Sequence, residues 1–540
     1  NDSVLSGKRR LALEYADRLH EAFGERFWLE VQPHAIRDQV DANKFMLELR
    51  ERYGGKSKLL ATQDAHYVNQ DDAEHHEVLL CIGTNANLSD PNRFKFDGDE
   101  FFFKTRAQMW KSFQRNHEFI PSKMLKEALN STMELAESCS AKIEVDYHKA
   151  LLPDPGVPAE FKGDHFAYLK ALCKGGWTWR DMPRRIAAYA AREKISKSEA
   201  GKRYVDRLKM ELGALKRQKF VPYFLIIHDL YKYARGESIM VGPGRGSVGG
   251  SLVAYLLGIT ATEPLEHGLI FERFISPFRI DMPDCDMDFE DRRRGEIVEY
   301  LRDKYGRERV CQIATFGKLS GKQCIRDVSR VLQVPLNEVN QVTSSIIERS
   351  SGDERASQTI EDSFKDFEVC REFDKRHPKV LHHAKRLEGM VKNLGIHAAG
   401  VIASPVPLTD VIPLEVRNSG GEKLVVSAFE MYGVAANGLV KLDVLGLRTL
   451  TVIKEALEAI EKRHGRKIDM ESADDVDLND PKVLAAFTAH DYGGVFQYDT
   501  PSADKVCQGV NFTSFEDVAA MTALNRPGTS RSGLATKYVE

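Results

Sequence analysis

Three aspartates stand at alternate positions after a proline in residues 282–289: Asp284, Asp286 and Asp288. On an extended strand, residues two apart project from one face, so these carboxylates would converge. Like charges this close repel each other unless a cation lies between them, and carboxylate oxygens are ligands that Mg²⁺ prefers. The spacing therefore indicates a divalent-metal site. An acidic turn without a ligand is the alternative, and spacing alone does not separate the two.

A glycine-rich segment at residues 241–251 leads into the apolar run 252–257. Glycines allow backbone N–H groups to converge on an anion, and the N-terminus of a following helix adds positive partial charge. The segment has neither the lysine of a Walker loop nor the βαβ context of a dinucleotide site. We interpret it as a phosphate cradle, with a plain glycine-rich turn as the alternative. Its place before the aspartates favours one combined triphosphate and Mg²⁺ site.

A third feature is the apolar run 440–448, which Lys441 and Asp443 interrupt. On a strand both side chains would lie on the same face, which suits a site better than a core. A salt-bridged pair on an edge strand is the alternative.

The elements that must position these residues fall into several domains, because single cores rarely exceed roughly 250 to 300 residues and the chain has 540. The first 140 or so residues alternate helical stretches (11–23, 41–53) with β-like runs (27–31, 58–61), an α/β pattern. A helical region over about 123–215 is broken by a proline-rich stretch at 152–158. Residues 292–388 are predicted to be mostly helical, short apolar runs return at 398–403 and 438–445, and the tail from 451 begins as a helix.

Composition narrows the class of protein. The 29% charged and 42% hydrophobic residues, with no apolar run of roughly 20 residues, argue against a membrane protein. Eight cysteines without a CxxC pair argue against a thiolate zinc site and against a disulfide framework, so we expect a reducing, cytoplasmic setting. The net charge of −3 does not indicate nucleic acid, but the basic stretch 202–219 permits it. An initial Asn and an unfinished final segment predict a fragment.

Six strings in a fixed order carry a family resemblance: YFLI at 223–226, GPGRGS at 242–247, FERF at 271–274, PDCDMDF at 283–289, GIHAAG at 395–400 and KLDVLGLRTL at 441–450. Over nearly the whole chain the sequence resembles the C-family replicative polymerases, the alpha subunits of bacterial DNA polymerase III. The resemblance implies a DNA-directed DNA polymerase that extends a primer 3′-hydroxyl on primer–template DNA with deoxynucleoside triphosphates. Two Mg²⁺ ions would be held by Asp284, Asp286 and Asp443, and Asp288 would support the turn.

The implied fold is multidomain, α/β and α+β. It comprises the C-terminal part of a PHP domain (1–140), a polymerase-beta-like nucleotidyltransferase palm in two parts (141–317 and 397–450), a helical thumb (318–396) and the beginning of helical fingers (451–540). The rest of the fingers, the clamp-binding region and the OB-fold would be absent. By the same resemblance a sliding clamp, a clamp loader and a proofreading subunit would bind through those absent regions.

The resemblance also assigns binding residues. The incoming triphosphate would be bound by a group of loop and cationic residues: Gly244, Arg245, Gly246, Ser247, Lys441 and Arg526. In the thumb, four basic residues recur at four-residue spacing and would give one helix a stripe for the duplex backbone: Lys318, Lys322, Arg326 and Arg330. A solvated helix face is the alternative for the stripe.

The N-terminal region supplies a second candidate metal site. LATQDAHY at 60–67 matches the final ligand pair of the family's PHP domain, so Asp64 and His66 are candidate ligands for Zn²⁺ or Mn²⁺. The earlier ligands would lie upstream of residue 1, so we do not expect a complete cluster here. A PHP-type phosphoesterase or 3′–5′ exonuclease is the alternative function, and a non-catalytic DNA-binding fragment is another.

The C-terminal strings depart from the family pattern. FQYDT at 496–500 and NRPGT at 525–529 stand where the family has FQ-L-E-S and YRPGP. This divergence suggests a phage protein or a distant bacterial lineage, and truncated fingers predict that the fragment could be inactive.

Overall fold

The computed structural model describes residues 8–142, 150–276, 282–347, 358–419, 421–472, 475–525 and 534–539. Among these residues, no helix combines the length and the apolar character that crossing a membrane requires. The eight cysteines are free thiols, and all but Cys139 are buried.

Helices and strands are numbered separately in chain order. The helices are α1 Arg9–Phe23, α2 Arg37–Arg52, α3 Ala73–Thr84, α4 Arg106–Asn116, α5 Ser122–Ser138, α6 His165–Trp179, α7 Met182–Glu193, α8 Lys197–Arg217, α9 Val221–Gly236, α10 Leu252–Leu256, α11 Arg294–Tyr305, α12 Gly321–Val331, α13 Leu336–Thr343, α14 Thr359–Asp366, α15 Glu368–Arg376, α16 Pro378–Leu387, α17 Met431–Ala436, α18 Arg448–His464, α19 Pro481–Thr488, α20 Pro501–Cys507, α21 Phe515–Leu524 and α22 Leu534–Val539. The strands are β1 Leu29–Val31, β2 Leu59–Ala61, β3 Asp286–Glu290, β4 Val310–Lys318, β5 Val391–Ala403, β6 Leu414–Ser419, β7 Glu422–Ser427 and β8 Lys441–Leu447. The mixed α/β class expected from the sequence is confirmed.

The chain divides into two compact units. Unit 1 comprises Asn1–Glu144 and Phe316–Gly395, and unit 2 comprises Val145–Thr315 and Ile396–Glu540. The boundaries near 315 and 395 fall within strands β4 and β5.

Unit 1 contains two hydrophobic cores. In the first, α1, α2, α4 and α5 pack around the parallel pair β1–β2, in which Leu29 lies opposite Leu59. The helices and the short strands predicted in this region are confirmed, and their buried residues are apolar except for Asn43 of α2. The second core joins α3 to the helices α12–α16.

Unit 2 is organised by a six-stranded mixed sheet. The strand order is β3-β8-β5-β4-β7-β6, with β3 parallel to β8, and with β8 antiparallel to β5. Strand β4 lies in a region that the sequence predicted to be mostly helical, so that prediction is wrong there. Its first five residues are all buried, and a short buried run carries no alternation that distinguishes a strand from a helix.

A helix buried on nearly all sides supports the acidic strand. Most of α9 is apolar and buried, as expected of a helix that is hydrophobic all round. It packs against β3, where the rings of Tyr231 and Phe289 lie 5.6 Å apart, centroid to centroid. Met287 and Phe289 are fully buried in this core. The alternate residues of β3, starting at Asp286, therefore project from the other face.

Helix α10, which follows the glycine-rich segment, packs closely on α6. A Cβ at Gly176 of α6 would lie 2.0 Å from the carbonyl oxygen of Leu256. This distance is shorter than any non-bonded contact, so only glycine lets the two helices approach this closely.

We expect Gly176→Ala to lower the free energy of unfolding by about 1 to 3 kcal/mol, because the added methyl group must displace α10. The neighbouring Gly175 is a matched control, since a Cβ there meets nothing within 4 Å. Gly175→Ala should be neutral or stabilising by up to about 1 kcal/mol through helix propensity. Urea unfolding of both variants tests this, and equal midpoints would show that the contact does not constrain the fold.

Candidate active site

The structure brings three of the four candidate aspartates together. Because β3 and β8 are parallel neighbours, Asp286 lies directly opposite Asp443, and Asp284 lies two residues before Asp286. One carboxylate oxygen of each of the three lies within 4.8 Å of the others. Asp443 is buried and Asp284 is exposed, so the cluster opens from the sheet to solvent. A donor set made only of carboxylates fits a hard divalent cation such as Mg²⁺ or Mn²⁺.

The electrostatics of Asp443 reflect this crowding. Burial raises the pKa of Asp443 to about 6. The neighbouring Asp284 carboxylate adds to this upward shift, and Lys441 opposes it. Lys441 Nζ lies 2.8 Å from Asp443 Oδ2. The carboxylate thus has one cation partner, and its negative charge is still disfavoured in the metal-free protein.

Asp288 has a different role from the other aspartates. It is 3% exposed, and its carboxylate accepts two hydrogen bonds from the guanidinium of Arg245, at 3.1 and 3.2 Å. Burial raises the pKa of Asp288, although Arg245 opposes the shift. The backbone carbonyl of Asp288 also accepts a hydrogen bond from the N–H of Gly242 at 2.8 Å. Asp288 therefore fixes the glycine-rich segment to β3 and lies outside the carboxylate cluster.

The glycine-rich segment adopts a backbone conformation that requires glycine at two positions. Gly244 has φ +93° and Gly246 has φ +71°, both in the left-handed region. A Cβ at Gly244 would also lie 2.6 Å from Oγ1 of Thr260, which donates a hydrogen bond to the Pro243 carbonyl at 2.8 Å. Gly246 and Ser247 are exposed at the start of a short 3-10 helix, Gly246–Gly250.

The N-terminus of α10 does not offer the positive end that the sequence suggested for a phosphate. The N–H groups of Leu252 and Val253 donate to the carboxylate of Glu211 at 2.9 Å, and the Ser251 hydroxyl does the same. Arg207 Nε donates to that carboxylate at 2.6 Å. A protein carboxylate thus already occupies this site.

Sequence reasoning missed Glu211. A signal was present, because Glu211 stands seven residues after the buried Tyr204 and three before the buried Ala214 on α8. An acidic residue on the apolar face of a helix indicates a buried polar partner.

Of the remaining predicted nucleotide-binding residues, Arg245 and Lys441 lie beside the aspartates. Arg245 lies between two carboxylates, 3.9 Å from Asp286 and 3.1 Å from Asp288. Lys441 and Asp443 are both on β8, two residues apart, as expected. Arg526 lies outside the described residues.

The predicted basic stripe is wrong as a feature of one helix. Lys318 ends strand β4, because α12 begins only at Gly321, whereas Lys322, Arg326 and Arg330 do lie on α12. Arg330 donates to the carbonyls of Cys81 and Ala86 at the C-terminal end of α3. Lys318 and Arg326 are exposed.

The candidate PHP ligands lie next to each other. Asp64 Oδ1 is 3.2 Å from His66 Nε2, and the Asp64 N–H donates to His34 Nε2 at 3.3 Å. Among the described residues, neither side chain belongs to a group of three metal-ligating side chains.

The carboxylate cluster beside a glycine-rich segment defines a candidate divalent-metal centre in a mixed α/β protein. Residues 175–446 match the family model of the bacterial DNA polymerase III alpha NTPase domain, and residues 449–540 match that of the alpha subunit finger domain. The chain belongs to the bacterial DNA polymerase III alpha family.

Curated relatives named DNA polymerase III subunit alpha agree with this assignment. The one from Mycobacterium tuberculosis is 36% identical over 99% of this chain and 43% of its own length. The one from Thermus aquaticus is 34% identical over 94% of this chain and 43% of its own length. The one from Aquifex aeolicus is 33% identical over 98% of this chain and 45% of its own length. The chain spans less than half the length of these relatives.

The raised pKa of Asp443 gives a pH-dependent prediction for the metal-free protein. A carboxyl group that holds its proton more tightly when folded contributes stability below about pH 4, and this is lost as the pH rises through about 6. We therefore expect Asp443→Asn, in EDTA at pH 8, to raise the free energy of unfolding by roughly 1 to 3 kcal/mol. The gain should disappear at pH 4.

Asp303→Asn is the control for this prediction, because Asp303 is an exposed carboxylate on α11 of the same unit. It should change stability by less than about 0.5 kcal/mol at either pH. Addition of Mg²⁺ should stabilise the unsubstituted protein and have no effect on Asp443→Asn. Chemical unfolding at pH 4 and 8 measures all of these differences, and a loss of stability in Asp443→Asn at pH 8 would contradict the prediction.

Proposed function

We propose that this chain is the polymerase core of a DNA-directed DNA polymerase that acts in DNA replication. The observation that carries the proposal is the convergence of Asp284, Asp286 and Asp443 within 4.8 Å in a member of the polymerase III alpha family. Its substrates would be primer–template DNA and deoxynucleoside triphosphates.

In this proposal Asp284, Asp286 and Asp443 hold two Mg²⁺ ions. Bound there, the ions would lower the pKa of the primer 3′-hydroxyl and offset the charge of the pyrophosphate leaving group. The protein itself contributes rigidity, because Asp286 and Asp443 lie in register on two adjacent strands. Ligands fixed in this way lose little freedom when the reactants are aligned.

The triphosphate would lie against the glycine-rich segment. Gly244 and Gly246 give the segment its left-handed turns, and the exposed Ser247 offers a hydroxyl and an N–H group. Arg245 and Lys441 flank the carboxylate cluster and would offset phosphate charge. A role for Arg526 in binding the triphosphate is proposed only from the match of residues 525–529 to the family string.

The domain assignment is part of the proposal. We assign a PHP-type domain to 1–140, a nucleotidyltransferase palm to 141–317 and 397–450, a thumb to 318–396 and the start of the fingers to 451–540. The division of the chain near residues 144, 315 and 395 supports three of these boundaries to within a few residues. A sliding clamp, a clamp loader and a proofreading subunit remain partners proposed from the family.

We expect Asp284→Asn, Asp286→Asn and Asp443→Asn each to reduce primer extension by about 10³-fold or more. Each removes a metal ligand, and the several kcal/mol that metal ions contribute to the transition state correspond to such a factor. Single-turnover extension of a labelled primer–template in Mg²⁺ measures the loss.

Two further measurements separate the alternatives. Asp64→Asn should leave primer extension unchanged, whereas a phosphoesterase or exonuclease centred on Asp64 and His66 would lose nuclease activity in that variant. If the unsubstituted chain binds primer–template in Mg²⁺ but extends no primer, it is a non-catalytic DNA-binding fragment.

The basic residues near the start of α12, of which Lys318 and Arg326 are exposed and Lys322 is partly buried, give a separate prediction for duplex binding. If Lys318, Lys322 and Arg326 contact phosphates, each substitution by Ala should weaken binding to any sequence. Each should also reduce the slope of log K against log salt by about 1. Fluorescence anisotropy with a primer–template duplex at several salt concentrations measures both quantities.

Lys375→Ala is the matched control, since Lys375 is an exposed lysine of unit 1 on α15, paired with Glu372. Its slope should equal that of the unsubstituted protein. Arg330→Ala should instead lower stability, because Arg330 binds the carbonyl end of α3. Unchanged slopes for Lys318→Ala and Arg326→Ala would contradict a role in duplex binding.

A further inference from the structure

A cluster of three histidines lies in unit 1, and the proposed polymerase function does not use it. His75 is on α3, and His382 and His383 are adjacent residues on α16. One ring nitrogen of each histidine lies within 4.8 Å of the others. The cluster extends from the interior to the solvent, because His383 is buried, His75 is partly buried and His382 is exposed.

The closest contact in this cluster joins two nitrogens of the same kind. His75 Nδ1 lies 3.0 Å from His383 Nδ1. Two imidazole nitrogens cannot approach this closely with both lone pairs facing each other, so a proton or a metal ion must lie between them. With metal–nitrogen bonds of about 2.0 to 2.1 Å, the ligand nitrogens of a tetrahedral zinc site lie only slightly farther apart than this.

A carboxylate stands beside the three rings. Glu74 Oε1 is 2.5 Å from His382 Nε2 and 3.9 Å from His75 Nε2. Glu74 is not part of the group whose ligand atoms lie within 4.8 Å of one another, so its carboxylate is placed to orient the imidazole of His382 from the second coordination sphere.

The two helices are fixed to each other on either side of the histidines. Arg386 of α16 makes two hydrogen bonds to Asp72, at 2.6 and 2.9 Å, at the start of α3. The apolar residues Val78 of α3 and Ala384 of α16 belong to the same core. The ligand positions are therefore set by packing and by an ion pair, and the site needs little rearrangement to bind an ion.

We propose that His75, His382 and His383 bind one Zn²⁺ ion, with the carboxylate of Glu74 orienting the imidazole of His382. Imidazole nitrogens suit zinc, and the set differs from the carboxylate-only cluster of the candidate active site. It shares no residue with the Asp64–His66 pair. The ion would link α3 to α16, whose ligands His75 and His383 are 308 residues apart in sequence, and would stabilise unit 1 as a cross-link that closes a long loop.

The test uses the full chain, stripped of metal and then equilibrated with Zn²⁺ in a buffer that fixes the free ion concentration. Bound zinc is measured by elemental analysis, and Co²⁺ replaces Zn²⁺ in a parallel sample to report coordination through its visible spectrum. We expect the unsubstituted chain to bind one zinc ion at this site. His382→Ala should lower the affinity for zinc by at least about 10-fold. The intense visible bands of four-coordinate Co²⁺ should disappear in the same variant.

His382 is the residue to change first because its side chain is exposed, so its loss should not unfold the core. His383→Gln is a second variant, and it should lose zinc while circular dichroism shows that the fold is retained. His464→Ala is the matched control, because His464 is an exposed histidine at the end of α18. This variant should bind zinc like the unsubstituted chain.

The proposal is overturned if the metal-free chain takes up no zinc at micromolar free ion. It is also overturned if His66→Ala removes the zinc while His382→Ala does not, which would assign the ion to the Asp64–His66 pair. Zinc uptake that none of these variants changes would identify an adventitious ion only. Zinc should raise the thermal midpoint of the unsubstituted chain, and this shift should be absent in His382→Ala.

Discussion

The parallel pairing of β3 with β8 is the constraint on which the candidate active site depends. It places Asp286 opposite Asp443, and so forces carboxylates together that repel each other in the absence of a cation. The register is fixed from the other face of the sheet, where Met287 and Val444 are fully buried. A slip of one residue would exchange the two faces, placing the carboxylates in the apolar core and the apolar side chains on the face that carries the candidate metal ligands. Core packing thus maintains an arrangement that electrostatics alone disfavours.

The charges around this pairing are divided between compensated and uncompensated positions. On the acidic face of β3, Asp288 binds Arg245, and Glu290 lies 2.8 Å from Lys454 Nζ. Of the clustered carboxylates, Asp443 binds Lys441. Asp286 shares the guanidinium of Arg245 with Asp288, at the longer distance of 3.9 Å. The negative charge that remains is therefore concentrated at the start of the strand, at Asp284 and Asp286. A divalent cation placed there gains attraction from several carboxylates at once, whereas one placed farther along the strand would compete with cations already in position.

The sequence predicted features that depend on local periodicity and missed those that depend on distant partners. The period-two aspartates and the helices α1 and α2 were readable because each needs only its own neighbours along the chain. Asp443 was predicted to be a metal ligand only from the family resemblance, because no spacing rule connects it to Asp286 across the intervening residues. The basic stripe failed at Lys318 because a buried run without alternation gave no sign that β4 continues to that residue.

Glu211 changes how an anion would be bound beside the carboxylate cluster. Since its carboxylate already accepts hydrogen bonds from the first N–H groups of α10, the positive end of that helix is neutralised within the protein. Attraction for a triphosphate must then come from the loop N–H groups and from Arg245 and Lys441. Both of these cations are bound by aspartates of the same two strands that carry the candidate metal ligands. Metal binding and phosphate binding therefore share one electrostatic network, and a change in any of these aspartates alters both.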